Sequence, residues 1–163
     1  MTLNESLRFR DVDPIVKRAF LRAPEKIQLY ASVQLYKWTN RPLLGRQGIS
    51  PWWSFVESTR LPNGTIAEGF RVSEERAARL GRMHRDYAKV RAAISGEFHN
   101  SMTDLLVIRL NEPVWGFAGQ AAGQPEFAKD HVGLQHVFLI GGAWQVWIPN
   151  LTERHVTALP VAG

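Results

Sequence analysis

Apolar residues alternate with polar ones, or run continuously, in several short stretches of the chain, and recur at helical spacing in one long stretch. Residues 33–39, residues 104–110 and two segments within 137–149 predict strands, because successive strand side chains point to opposite faces. Residues 73–95 carry a stripe of side chains three or four apart behind Ser73, a favourable N-cap residue, and predict one long amphipathic helix. The side chains of this apolar stripe, which are predicted to be buried, include Ala77, Leu80 and His84.

Proline and glycine mark the boundaries of further elements. Asp13 before Pro14 and Ala23 before Pro24 predict two short N-terminal helices, since proline is well tolerated in the first turn of a helix. The segment 43–70 is predicted to be a long connection with a Pro-Asn-Gly turn, and its two adjacent tryptophans favour a binding loop over disorder.

The order of the predicted elements indicates the fold class. Helices, a strand, a long connection, a helix and then several strands follow one another, without the alternation that a parallel sheet requires. We therefore expect one α+β domain over 1–163, with a split, mainly antiparallel sheet. It comprises a helical N-terminal segment, 1–32, and an α+β core, 33–163, that contains the long basic amphipathic helix.

Composition excludes several classes of function. The chain has no cysteine, which excludes disulfides, a zinc ribbon and a cysteine nucleophile, and its five histidines form no metal-binding motif, so no metal is expected. Phosphate-binding loops, dinucleotide fingerprints and serine-hydrolase elbows are absent from the sequence. Neither a signal peptide nor an apolar stretch of membrane-spanning length is seen, so we expect action in the cytoplasm and no membrane partner.

The net charge of +5 favours polyanionic partners. Many of the cations lie on the polar face of the predicted helix. Those relevant to nucleic acid are Arg76, Arg79, Arg82 and Arg85. Such a charged face is either simply solvated or a surface that binds phosphates.

Three segments together indicate a site. An early strand carries Lys37, the next segment carries Ser50 and Ser54 around two tryptophans, and a late strand carries Gln145 after a glycine pair. Each feature alone has a structural explanation: a lysine on an edge strand, tryptophans in a core, a glutamine on a sheet surface. Their order along the chain is more specific than any one of them.

This order resembles that of the ADP-ribosyltransferase superfamily, whose pattern is Arg, Ser-Thr-Ser and Glu on successive segments. The segment VIRLNEPVWGFAGQAAGQ, followed later by LIGGAWQVWIPNL, is also similar to small toxin domains of interbacterial effectors. The resemblance covers about residues 33–150 and departs from the pattern at three points. Lys37 stands in place of arginine, SPWWS replaces Ser-Thr-Ser, and a glutamine without a nearby second acidic residue replaces the glutamate.

The resemblance implies an enzyme that uses NAD as substrate. Members with glutamine at the catalytic position are similar to NAD glycohydrolase toxins, so NAD cleavage or ADP-ribosyl transfer is expected, with Gln145 and Ser54 as catalytic residues. The implied NAD-binding residues are Lys37, Arg41, Ser50, Trp52 and Trp53. A secretion system would deliver such a toxin, and an immunity protein would neutralise it. The alternative is a basic nucleic-acid-binding or RNA-acting toxin without NAD chemistry.

Overall fold

A computed structural model describes residues 1–39, 43–45, 48–81, 83–84, 104–122, 124–125, 138–139 and 142–160. The helical elements that lie wholly within these residues are a 3-10 turn, Phe9–Asp11, and two α-helices, α1 (Pro14–Arg18) and α2 (Phe70–Arg79). Among the described residues, no helix is long and apolar enough to cross a membrane.

Short strands are the main regular secondary structure of the described residues. They are β1 (Glu25–Leu29), β2 (Gln34–Thr39), β3 (Leu44–Gly45), β4 (Gly48–Ile49), β5 (Trp52–Phe55), β6 (Thr59–Arg60), β7 (Ile66–Ala67), β8 (Asp104–Leu110), β9 (Val114–Gln120), β10 (Gln124–Pro125), β11 (Phe138–Leu139), β12 (Trp144–Trp147) and β13 (Val156–Leu159). The mainly antiparallel sheet that the sequence predicts is confirmed, and the helices α1 and α2 of the described residues are short.

Seven strands form the main sheet in the order β1-β9-β12-β5-β2-β8-β13, and every neighbouring pair is antiparallel. Pairing changes within β5. Its first two residues, Trp52 and Trp53, pair with β12, whereas its last two, Ser54 and Phe55, pair with β2. This short strand therefore joins one half of the sheet, β1-β9-β12, to the other half, β2-β8-β13.

One apolar cluster draws side chains from both halves of the sheet. Ile27 and Val146 come from one half, Leu35 and Ile108 from the other, and Phe55 from the joining strand. These residues form a single contiguous core, and the face of the sheet that carries them is called here the inner face.

The N-terminal segment covers the opposite, outer face of the β1-β9-β12 half. Phe9 and Phe20 contact each other, and Phe9 contacts Phe117 of β9. Phe20 approaches so closely that a Cβ at Gly119 would lie 3.0 Å from its Cδ1 atom, so a larger residue at 119 would have to displace the ring slightly. The residues that precede β1 thus pack against the sheet.

Several sequence predictions need correction. The strands at 33–39, 104–110 and near the end of 137–149 are confirmed as β2, β8 and β12, and the helix predicted to start at Pro14 is confirmed as α1, with Asp13 as its N-cap residue. The second N-terminal helix is wrong, because the residues after Pro24 form β1, whose Ile27 and Leu29 alternate into the core. The segment 43–70 is not simply a connection, since it contributes β5 to the middle of the sheet.

The long helix is also shorter than predicted. α2 begins after Gly69, its N-cap residue, and ends at Arg79, so Ser73 lies inside the helix. Leu80 is its C-cap residue, and Gly81 adopts a φ of 66°, which ends the helix in the left-handed conformation that glycine accepts readily. One continuous helix over 73–95 is therefore wrong. Leu80 is 64% exposed, although the apolar stripe predicted it to be buried.

Candidate functional site

The alternation of β5 divides the predicted site residues between two faces of the sheet. Trp53 pairs with the buried Val146 and lies on the inner face, so Trp52 and Ser54, its chain neighbours, point to the outer face. The same reasoning on β12 places Gln145, which precedes Val146, on the outer face. On β2, Lys37 is two residues beyond the buried Leu35 and shares the inner face with Trp53.

Three predicted residues meet on the inner face: Lys37, Ser50 and Trp53, called here the lysine cluster. The Lys37 Nζ atom donates to the Ser50 Oγ atom at 2.7 Å and lies 5.5 Å from the centroid of the Trp53 ring. The Trp53 Nε1 atom donates to the Ser50 carbonyl oxygen at 2.7 Å. Ammonium, hydroxyl and aromatic ring thus hold one another in place, and Lys37 is half-buried.

Trp53 acts within the lysine cluster as a support. It is 2% exposed and belongs to the core, so its ring is not available for stacking on a substrate. The amide of Trp52 donates to the Ser50 Oγ atom at 3.3 Å, but the Trp52 side chain lies on the other face of the strand. The structure therefore brings the predicted cation and one predicted serine together, and separates them from the side chain of Trp52.

Gln145 and Trp52 lie under the N-terminal segment. The Gln145 Nε2 atom donates to the Ala19 carbonyl oxygen at 3.0 Å, at the C-cap of α1. The Trp52 ring packs against Phe20, with centroids 5.6 Å apart, and against Trp147, with centroids 6.3 Å apart. The glutamine thus attaches the N-terminal segment to β12 by a hydrogen bond between residues that are distant in sequence. The sequence alone did not predict this partner.

Ser54 belongs to a separate polar network between the sheet and α2. Tyr36 lies opposite Ser54 on β2, and the side chains of Ser54 and Ser73 both act on its hydroxyl. Burial raises the pKa of Tyr36 to about 12, against smaller lowering effects of the hydrogen bonds from Ser73 and Ser54. The phenol is therefore neutral at physiological pH and serves as a hydrogen-bonding group.

His84 completes this network and was not predicted as a site residue. Its Nδ1 atom accepts from the Trp38 Nε1 atom at 3.0 Å, and its Nε2 atom lies 2.9 Å from the Ser73 Oγ atom. An indole nitrogen can only donate, so the neutral ring carries its proton on Nε2 and donates to Ser73. His84 is therefore not a base for that serine.

The environment of His84 keeps it neutral. Its side chain is buried against Tyr36 and Phe70, and burial lowers its pKa to about 4. The predicted apolar stripe did include His84, and this burial is confirmed. Its partners on β2 could not be inferred, because hydrogen bonds between residues 46 positions apart leave no local pattern.

The remaining predicted cations are arginines, and only some of them lie within the described residues. Arg41, Arg82 and Arg85 lie outside the described residues. Arg76 on α2 forms a two-pronged ion pair with Glu68, whereas Arg79 is exposed. The helix as described carries three arginines and two glutamates, so its net charge is small.

Comparison with known proteins adds little to this geometry. No family model and no curated protein matches the chain. A solved structure described as Tse6 in complex with Tsi6 aligns with 98% of this chain and 93% of that chain, with a TM-score of 0.44 and 13% sequence identity. The chain is therefore interpreted from its own residues.

Proposed function

We propose that the protein consumes NAD by cleaving the bond between nicotinamide and ribose, and that Lys37 and Ser50 anchor the diphosphate of the substrate. The observation that carries this proposal is the contact of the Lys37 ammonium with the Ser50 hydroxyl at 2.7 Å. A fixed ammonium and a hydroxyl are suitable ligands for phosphate oxygens, because charge-assisted hydrogen bonds are the stronger ones. Packing against Trp53 limits the motion of the lysine and lowers the entropic cost of binding.

The chemistry needs positioning more than it needs a strong nucleophile. The bond between ribose C1′ and the ring nitrogen breaks, and its electron pair leaves with nicotinamide, which becomes neutral. Positive charge develops on the ribose, a water oxygen bonds to C1′, and the water proton is released to solvent. In the transfer reaction an acceptor nucleophile takes the place of water. An anchored diphosphate would hold the ribose where this attack can occur.

We propose Gln145 and Ser54 as the catalytic residues, and this assignment is tested separately. Both side chains point to the outer face, whereas Lys37 points to the inner face. A substrate held at the lysine cluster would therefore lie across the sheet from them. For this reason the anchor and the catalytic residues need separate experiments, and the role of Gln145 is taken up in the Discussion.

We also propose that the protein is a toxin, that it is delivered into a target cell and that an immunity protein neutralises it. The alternative, nucleic-acid binding without NAD chemistry, depends on Arg76 and Arg79 of α2 and on Arg82 and Arg85, which lie outside the described residues. Arg76 is already paired with Glu68, so α2 offers fewer cations to phosphates than its sequence suggests. The observations on the described residues therefore favour the NAD proposal.

The test is release of nicotinamide from NAD by the purified protein, with and without cell extract as a source of acceptor. Lys37→Met keeps the length of the side chain and removes its charge, and Ser50→Ala removes the hydroxyl. We expect Lys37→Met to raise the KM for NAD by about tenfold or more, because a charge-assisted contact is lost. Ser50→Ala should have a smaller effect in the same direction.

Lys26→Met is the matched control. Lys26 is also half-buried, and its Nζ atom lies 5.4 Å from the centroid of the Trp115 ring, but it belongs to β1. This variant should leave the KM for NAD unchanged. Absence of nicotinamide release by the wild-type protein, with extract present, would overturn the proposed function. Equal effects of Lys37→Met and Lys26→Met would overturn the assignment of the anchor.

A further inference from the structure

The N-terminal segment is attached to the outer face of the sheet by side chains and backbone groups that point towards the sheet. The Ala19 carbonyl oxygen accepts from Gln145, the amide of Leu21 donates to the Gln120 carbonyl oxygen at 2.9 Å, and the Phe20 side chain is 6% exposed. Asn4 adds hydrogen bonds to the carbonyl oxygens of Trp115 and Pro149, at 3.1 and 2.8 Å. This segment is therefore a fixed part of the molecular surface.

The opposite side of the same segment is exposed and has mixed character. Ile15 is 69% exposed and Leu21 is 54% exposed, and the exposed Arg18 and Arg22 lie close to them in sequence. Ile15 and Arg18 are three residues apart on α1, so they are neighbours on the helix surface. These four residues are called here the N-terminal surface.

Positive charge on this segment lacks compensation. Residues 8–22 contain five cationic side chains and two carboxylates, so they contribute +3 of the chain's net +5. Arg71, Arg76 and Arg154 each pair with a glutamate. In the part of the chain that the structure describes, neither Arg18 nor Arg22 forms an ion pair.

We propose that the N-terminal surface is a docking site for an acidic protein whose contact surface combines carboxylates with a small apolar centre. Arginine is enriched in protein interfaces and forms two-pronged hydrogen bonds with carboxylates, which matches Arg18 and Arg22. Ile15 and Leu21 supply the apolar part of the surface, and a partner that binds through phosphates alone would make no use of it. This proposal is independent of NAD chemistry, because none of these four residues belongs to the lysine cluster.

The same residues fit other polyanions less well. α1 has only five residues, which is too short to follow a nucleic-acid groove or to lie as an amphipathic helix in a membrane interface. Its exposed apolar residues are aliphatic, whereas stacking on single-stranded nucleic acid requires aromatic side chains. A folded acidic protein surface therefore matches both the charge and the aliphatic side chains.

The experiment measures binding of the full-length protein to fluorescent peptides by anisotropy at physiological ionic strength. One peptide consists of Glu-Glu-Leu repeats, and a second, of equal length and charge, consists of Glu-Glu-Ser repeats. We expect the leucine peptide to bind more tightly than the serine peptide. The double variant Arg18→Glu and Arg22→Glu should weaken its binding about tenfold or more, through loss of attraction and new repulsion. Ile15→Ser should abolish the preference for leucine.

The matched control is Arg71→Glu with Arg79→Glu, which changes the net charge equally but on α2. Both arginines are exposed. This variant should change binding of the leucine peptide less than twofold, and circular dichroism spectra should show that both double variants are folded. Equal weakening by the two double variants would overturn the proposal, because net charge alone would then explain binding. Tighter binding to a single-stranded oligonucleotide or to phosphatidylglycerol vesicles, sensitive to the same arginines, would also overturn it.

Discussion

Gln145 is the residue for which sequence and structure suggest different roles. The resemblance to ADP-ribosyltransferases assigns it to the reacting bond, and the structure shows its Nε2 atom donating to the Ala19 carbonyl oxygen at 3.0 Å. Both roles use the same amide group, but they have different consequences when it is removed. If Gln145 serves to attach the N-terminal segment, called here its fastening role, its removal lowers the free energy of unfolding. If it is catalytic, its removal lowers the rate of NAD cleavage.

We expect Gln145→Ala to lower the free energy of unfolding by about 1 kcal/mol, because one partly buried hydrogen bond to the backbone is lost. Urea unfolding followed by tryptophan fluorescence measures this change, and nicotinamide release measures catalysis in the same samples. Gln145→Glu is the informative companion, because a carboxylate cannot donate to the Ala19 carbonyl oxygen. Loss of NAD cleavage in Gln145→Ala at unchanged stability would contradict the fastening role.

His84 gives the protein a defined dependence of stability on pH. Burial lowers its pKa to about 4, below the ordinary value of 6.5, so the unfolded chain takes up a proton at a higher pH than the folded protein does. The stabilising contribution is complete above pH 6.5 and is lost as the pH falls towards 4. Within this window the free energy of unfolding should fall by up to about 1.4 kcal/mol per pH unit.

The measurement is urea unfolding at several pH values for the wild-type protein and for His84→Gln, which cannot titrate. The difference between the two slopes isolates His84 from the carboxylates, which titrate in the same range. The titration of the His84 ring can be followed directly by NMR, with an expected midpoint near pH 4. A midpoint near 6.5, or equal slopes for the two proteins, would show that the ring is not held neutral by its surroundings.

The elements of the fold could be predicted where their sequence pattern is long enough. β2 and β8 have six and seven residues, and their position was predicted from the pattern of their apolar, β-branched and aromatic residues. β5 has only four residues, so its alternation of Trp53 and Phe55 inward could not be distinguished from an aromatic loop. β1 was missed because Pro24 favours a helix start and a strand start equally well.

The candidate site was less predictable than the elements that carry it. Sequence order suggested that Lys37, Ser50 and Gln145 converge, and only the first two are in contact. Whether two side chains meet depends on which face of the sheet each one points to. For Gln145 and Ser54 this was decided by the pairing register of β5 with β12 and β2, which no local pattern records.

The division of the sheet at β5 raises the question whether its two halves unfold together. The core draws residues from both halves into one cluster, and Phe55 of the joining strand is 1% exposed within it. A contiguous core of this kind unfolds as a unit, because removing either half exposes the apolar surface of the other. Amide hydrogen exchange should therefore report the same opening free energy for β8 and for β9.

Phe55→Leu tests this coupling while keeping an apolar residue in place. The smaller side chain should lower the free energy of unfolding by about 1–2 kcal/mol, through lost burial and a partly filled cavity. Protection in β8 and in β9 should fall by equal amounts, and the urea transition should stay single with an unchanged slope. Ile66→Val, at a residue that is 41% exposed, is the control and should leave protection in both strands unchanged. A loss of protection confined to β8, next to β2, would show instead that β5 joins two halves that open independently.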